Sequence, residues 1–179
     1  MTTLIPAVLP DRYEDLEAGF RRAAAVSKAV HFDVCDGVFV PRRSWPYHPT
    51  DRARFDAIKS KAEGMPQWET LNVEVHAMVS RPERSAKDWL SAGATRFVPH
   101  VEAVTDFEAL FLLADGAMQL GLALLFDTPL DAIAPYADRI SVLQLMTIRR
   151  AGFQGSEFAD GAFERVREAK RRFPLRTTP

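Results

Sequence analysis

Absences narrow this 179-residue chain before any motif does. It has one cysteine, Cys35, so no internal disulfide can form, and a disulfide-stapled secreted scaffold is excluded. Neither sign of charge is in surplus: 23 Lys and Arg stand against 24 Asp and Glu, with a pI of about 6.4. That balance offers no electrostatic footprint for nucleic acid or another polyanion. Long apolar runs are missing too. The most apolar stretch, Leu120 to Phe126, is far short of the roughly 20 residues that span a bilayer. At the N-terminus no basic segment leads into an apolar run, and Pro10, Asp11 and Arg12 interrupt the first one, so no signal peptide is expected. What is present, 47% hydrophobic residues in 179, suffices for one domain with a sizeable core. The expectation is a cytoplasmic domain with no membrane or nucleic-acid partner.

The apolar segments alternate with helical patterns. Leu4 to Leu9 reads as a first strand, followed by a helix from about Tyr13 to Ser27, with Leu16, Phe20, Ala23, Ala24 and Ser27 at helical spacing. A strand over Val30 to Cys35, a long loop over Val38 to Thr50 and a helix from about Asp51 to Glu63 come next. Leu71 to Val79 alternates cleanly, placing Glu74, His76 and Met78 on one face. Ser80 and Glu83 have capping-box spacing for a helix that Gly93 stops, and Thr105 and Glu108 repeat that spacing for a helix to about Gln119. Thr95 to Glu102, Gly121 to Phe126 and Ile140 to Thr147 complete the strands. A short helix follows Thr128, and a charged helix runs from about Phe158 to Phe173.

The stretch Val30 to Pro41 organises the rest. As a strand it aims His31, Asp33 and Cys35 one way and Phe32 and Val34 the other, before Asp36-Gly37 turns the chain. Unpaired polar groups inside a protein are costly. On these residues alone, a hydrogen-bonded core pair and a functional pair both remain open. Polar and soft residues recur on one face of later strands, however: Glu74, His76, Met78, His100, Glu102 and Met146. A flat doubly wound sheet buries both faces against helices, whereas the same face in a barrel is the interior, opening on the active-site mouth. Six strand-helix units at intervals of about 25 residues therefore predict parallel strands in a barrel. Eight units need about 250 residues and rarely fewer than about 200. The expected architecture is thus a TIM (β/α)8 barrel cut short after about six units, with residues 1–179 forming one C-terminally incomplete domain. A seventh strand would begin near Leu175 to Pro179.

Four motifs in order resemble the ribulose-phosphate 3-epimerase family. They are His31-Phe-Asp33-Val-Cys35-Asp36-Gly37-Val-Phe39-Val40-Pro41, Val75-His76-Ala77-Met78-Val79, His100-Val101-Glu102-Ala103, and Met146-Thr147 followed by Gly152-Phe153-Gln154-Gly155. The resemblance implies a barrel of the ribulose-phosphate-binding type that interconverts D-ribulose 5-phosphate and D-xylulose 5-phosphate through an enediolate. It also implies a divalent metal (iron, zinc, manganese or cobalt) on two His and two Asp, a phosphorylated pentose as substrate, and a homo-oligomer. Carried over, His31, Asp33 and His76 match metal ligands, and Asp33 matches one acid-base residue. Met78 and Met146 match a sulfur-lined floor, Cys35 stands where a third Met is usual, and Gly155 lies where loop amides approach the phosphate. His100 and Glu102 read as a structural pair or as one supporting the ligands, rather than as ligands, and His48 as an exposed loop residue.

The departures are specific. The family's second catalytic Asp lies in an Asp-Gly-Gly stretch on strand seven, which this sequence lacks. Its strand-one Ser residues are matched by Ala7 and Pro10, and Asp127 and Ile148-Arg149-Arg150-Ala151 depart from its loops. Arg149 and Arg150 fit either a phosphate grip or a solvated turn. Two alternatives follow: a non-catalytic homologue that binds metal or sugar phosphate, and an epimerase for another sugar phosphate.

Overall fold

A computed structural model describes residues 3–173. Six strands form one parallel sheet in strict chain order: β1 (Ala7–Val8), β2 (Ala29–Cys35), β3 (Asn72–Met78), β4 (Arg96–Pro99), β5 (Gln119–Leu124) and β6 (Val142–Leu145). The helices α1 (Tyr13–Ala24), α2 (Arg52–Lys59), α3 (Ala86–Ser91) and α4 (Phe107–Ala114) and a 3-10 segment, Leu130–Arg139, lie between them, and α5 (Ala162–Arg172) follows β6. Strands that add in one direction without a reversal rule out the doubly wound order. The sheet is also curled. The side chain of Gln144 on β6 lies 3.4 Å from that of His31 on β2, while four strand spacings of about 4.8 Å would separate them by about 19 Å in a flat sheet. This is the arc of a TIM barrel, as the one-sided polar pattern predicts.

The outer face of the arc carries the main core. Phe32 packs edge-on against Phe20 and Trp89 and stacks on Trp45, and Phe55 closes on Trp89. All five are buried. Helix α1 sits so close to β1 that a Cβ at Gly19 would fall 2.5 Å from Cγ1 of Val8, which is why this position has no side chain. A second, smaller cluster of Cys35, Val40, Met78 and Ala151 fills the inner face, with Leu9, Phe39, Leu125 and Met146 against it.

Several boundaries differ from expectation, each for a local reason. β1 shrinks to two residues between Pro6 and Pro10, neither of which has an N–H to give a ladder. The Ser80 and Glu83 spacing makes no capping box. Arg81 is left-handed (φ 49°), the Ser80 amide donates to Asp36, and Glu83 accepts from Thr105, so a 3-10 turn precedes a short α3. The cap expected at Thr105 lies one residue on, where Asp106 accepts from the Ala109 amide at 2.9 Å. Helix α4 stops at Ala114 because Gln119 already belongs to β5. Gly161 (φ 85°) delays the last helix to Ala162. The place expected for a seventh strand, near Leu175 to Pro179, lies outside the described residues. None of the described helices is long and apolar enough to cross a membrane.

Candidate metal and active site

Parallel register builds the site. It sets His31 beside Glu74, Asp33 beside His76 and Cys35 beside Met78 on β2 and β3, while His100 follows the end of β4. Oδ1 of Asp33 lies 2.7 Å from Nδ1 of His76 and 3.3 Å from Nε2 of His31. One ligand atom from each of these three residues can be chosen so that all lie within 4.8 Å of one another. Nδ1 of His31 is 2.5 Å from Oε1 of Glu74, whose other oxygen accepts from Arg96. Nε2 of His76 meets Nε2 of His100 at 2.9 Å, and Nδ1 of His100 faces Glu102 at 3.3 Å. On the open side, the Gln154 amide donates to Oδ2 of Asp33 at 3.1 Å. The cavity over the group, about 230 Å³, is lined by His31, Asp33, His76, Met78, Met146 and Gln154 among others.

Burial and hydrogen bonding compete at each charge. Burial disfavours a charged His31, but its bonds to Asp33 and Glu74 outweigh that and push it up to about 9. Asp33, although buried, is held well below the usual carboxylate range by His31 and His76. Burial wins at His76, lowering it to about 4 despite Asp33. Glu74 is lowered: its bonds to His31 and Arg96 overcome its burial. The Cys35 thiol is pushed up to about 12 by burial, with the Asp33 charge adding to it, so it is no thiolate at neutral pH.

Hydrogen-bond bookkeeping tests whether the cluster fits a cation. The line Asp33, His76, His100, Glu102 has three links and a carboxylate at each end. Three links need three hydrogens, and two neutral imidazoles carry two. The arrangement is short by one positive charge. A divalent ion held by His31, Asp33 and His76 would supply it, on the imidazole and carboxylate donors that such ions accept. The residues fit the group.

The sequence profile of the Ribulose-phosphate 3 epimerase family matches residues 3–178. The chain belongs to this family. Its name is that of an isomerase acting on carbohydrates. Among similar curated proteins, "Ribulose-phosphate 3-epimerase" of Candida glabrata is 27% identical over 177 residues, covering 96% of this chain and 72% of its own length. The protein of that name from Escherichia coli strain K12 is 28% identical over 171 residues, covering 94% and 71%. The one from Chlamydia muridarum is 30% identical over 139 residues, covering 77% and 55%.

Within this epimerase-family chain, the structure gathers His31, Asp33, His76, Met78 and Met146 around one cavity, puts Cys35 in the apolar layer with Met78, and joins His100 and Glu102 behind His76. Gly155 does not line that cavity; its neighbours Gly152, Phe153 and Gln154 do. Arg149 turns away to pair with Asp127 at 2.8 Å, and Arg150 covers Phe153. His48 is half-buried rather than fully exposed. Glu74 and Gln154 were not singled out as site residues by sequence. The alternation that placed Glu74 on the inner face was the available signal for it, whereas no periodicity reports a loop folding back.

Proposed function

We propose that this chain is a metal-dependent ribulose-phosphate 3-epimerase, interconverting D-ribulose 5-phosphate and D-xylulose 5-phosphate through an enediolate. The observation that carries the reading is the convergence of His31, Asp33 and His76 at the mouth of a barrel arc in a chain of this family. His31 Nε2, Asp33 Oδ1 and His76 Nδ1 would hold the ion, which is iron, zinc, manganese or cobalt. When bound, it supplies Lewis-acid stabilisation of the oxyanion that forms beside the reacting carbon. Asp33 keeps Oδ2 towards the cavity and, ionised at neutral pH, takes the proton from C3. Met78 and Met146 give that carbon a dry, adaptable floor, with Cys35 beneath. The amides around Gly155 are the proposed approach for the phosphate. His100 and Glu102 stand behind His76 rather than on the substrate.

Inversion at C3 also needs a donor on the opposite face. Asp33 is the only carboxylate lining the cavity among the described residues, so these residues account for one face. The expected result in heavy water is metal-dependent deuterium incorporation at C3 of ribulose 5-phosphate, faster than epimerisation and lost in Asp33→Asn. Absence of metal-dependent exchange would overturn the reading. The same assay separates a second reading, a protein that binds metal or sugar phosphate without turnover: binding with no exchange would establish that instead. Exchange with another pentose phosphate in preference would reassign the substrate. We also propose a cytoplasmic homo-oligomer. The single buried cysteine suits a reducing compartment, and β1 and β6 each pair on one side only among the described residues.

A further inference from the structure

Of the three imidazoles, His31 and His100 are each backed by a carboxylate whose second oxygen is already occupied. Glu74 accepts from His31 Nδ1 with one oxygen and from Arg96 with the other. Glu102 faces His100 Nδ1 with Oε2 and accepts from the Leu125 amide with Oε1 at 2.8 Å. A carboxylate only accepts, so each can be satisfied only by a ring N–H. For His31 this fixes a hydrogen on Nδ1, so that Nε2, facing Asp33, is the nitrogen left to the ion once the second ring proton is displaced. For His76 the effect is relayed. A hydrogen on His100 Nδ1 makes its Nε2 an acceptor, which draws the hydrogen of His76 onto Nε2 and bares Nδ1 towards Asp33.

We propose that Glu74 and Glu102 are positioning residues that direct the ring hydrogens of His31 and His76 away from the ion site, Glu102 acting through His100. The inference rests on the metal reading above and adds the groups that reserve Nε2 of His31 and Nδ1 of His76 for the ion.

The pinned second oxygens make the test unusual. In Glu102→Gln the amide oxygen stays on the Leu125 N–H, so the NH₂ group faces His100 Nδ1. The relay is then reversed, and a hydrogen is driven onto His76 Nδ1. In Glu102→Ala, water takes the place of the carboxylate and can accept from His100. The near-isosteric variant is therefore the more damaging. Titration of each protein with Co(II) alone, read by its visible absorption, is expected to show affinity lowered about 10- to 100-fold in Glu102→Gln, and less in Glu102→Ala. The metal-free thermal midpoints should keep Gln at or above Ala. A purely structural role gives the opposite order of affinities, and that order, or equal affinities, would overturn the inference. Glu74→Gln, with its oxygen held by Arg96, is an independent second arm expected to lower affinity by the same factor. No Co(II) binding by the unsubstituted chain would instead overturn the metal reading and this inference with it.

Discussion

Ion binding should be paid in protons at a single residue, His31. The bonds to Asp33 and Glu74 push His31 up to about 9, so at pH 7 its ring is protonated and Nε2 carries a proton at the proposed ion site. His76, lowered to about 4, is neutral at pH 7, and Asp33, well below the carboxylate range, is ionised, so neither gives up a proton when the ion binds. Displacing the His31 proton costs about 1.36 kcal/mol for each pH unit below its pKa. At pH 7 that is about 2.7 kcal/mol, or a factor of about 100 in affinity relative to a fully deprotonated site. The apparent Kd for Zn(II) or Co(II) should therefore fall about tenfold per unit from pH 6 to pH 8.5 and level off above 9. Calorimetry in buffers of different ionisation enthalpy should show about one proton released per ion at pH 7, approaching zero near pH 10. A Kd that is flat between pH 7 and 8.5, or release of two protons, would refute the assignment of the proton to His31 alone.

Three further outcomes follow. Phe32→Ala opens the aromatic layer between Phe20, Trp45 and Trp89 and should cost about 3–5 kcal/mol in urea unfolding. Gly19→Ala should cost about 1–3 kcal/mol through its overlap with Val8, and Val8→Ala in the same chain should return part of it, as a double-mutant cycle would show. Cys35 is fully buried and its thiol is pushed up to about 12, so a disulfide reagent at pH 8 should label it only at the rate of unfolding.

The parallel order and the shared inward face of His31, Asp33, His76, Met78 and Met146 were legible because strand periodicity assigns faces without knowledge of neighbours; their roles came only from the motif resemblance. Sequence alone does not show which inward residues touch. Glu74 read as one polar residue among several; only register beside His31, with Arg96 at its back, gives it a task. Gln154 reaches Asp33 across 121 residues of chain, a contact no local pattern carries. The helix caps failed for the same reason. Ser80 and Glu83 have the right spacing, yet their polar groups are claimed by Asp36 and Thr105 from elsewhere in the fold. The motif resemblance places the Gly155 amides near a phosphate, and it carries no sign that the preceding side chain, Gln154, turns inward to Asp33.

The strand that holds Asp33 also holds Phe32, one residue away and on the opposite side of the sheet. Along these few residues, heat tolerance and chemistry are alternately encoded. His31 and Asp33 face the polar cavity, where a substitution alters the candidate metal site; Val30, Phe32 and Val34 face the main core, where a substitution alters the melting point. Directed evolution could therefore explore the two properties in separate libraries, drawn from adjacent codons of the same strand. The division has a limit, because the aromatic layer is also the bed on which the carboxylate rests. A variant loosened at Phe32 would be expected to lose the fine placement of Asp33 before it loses the fold.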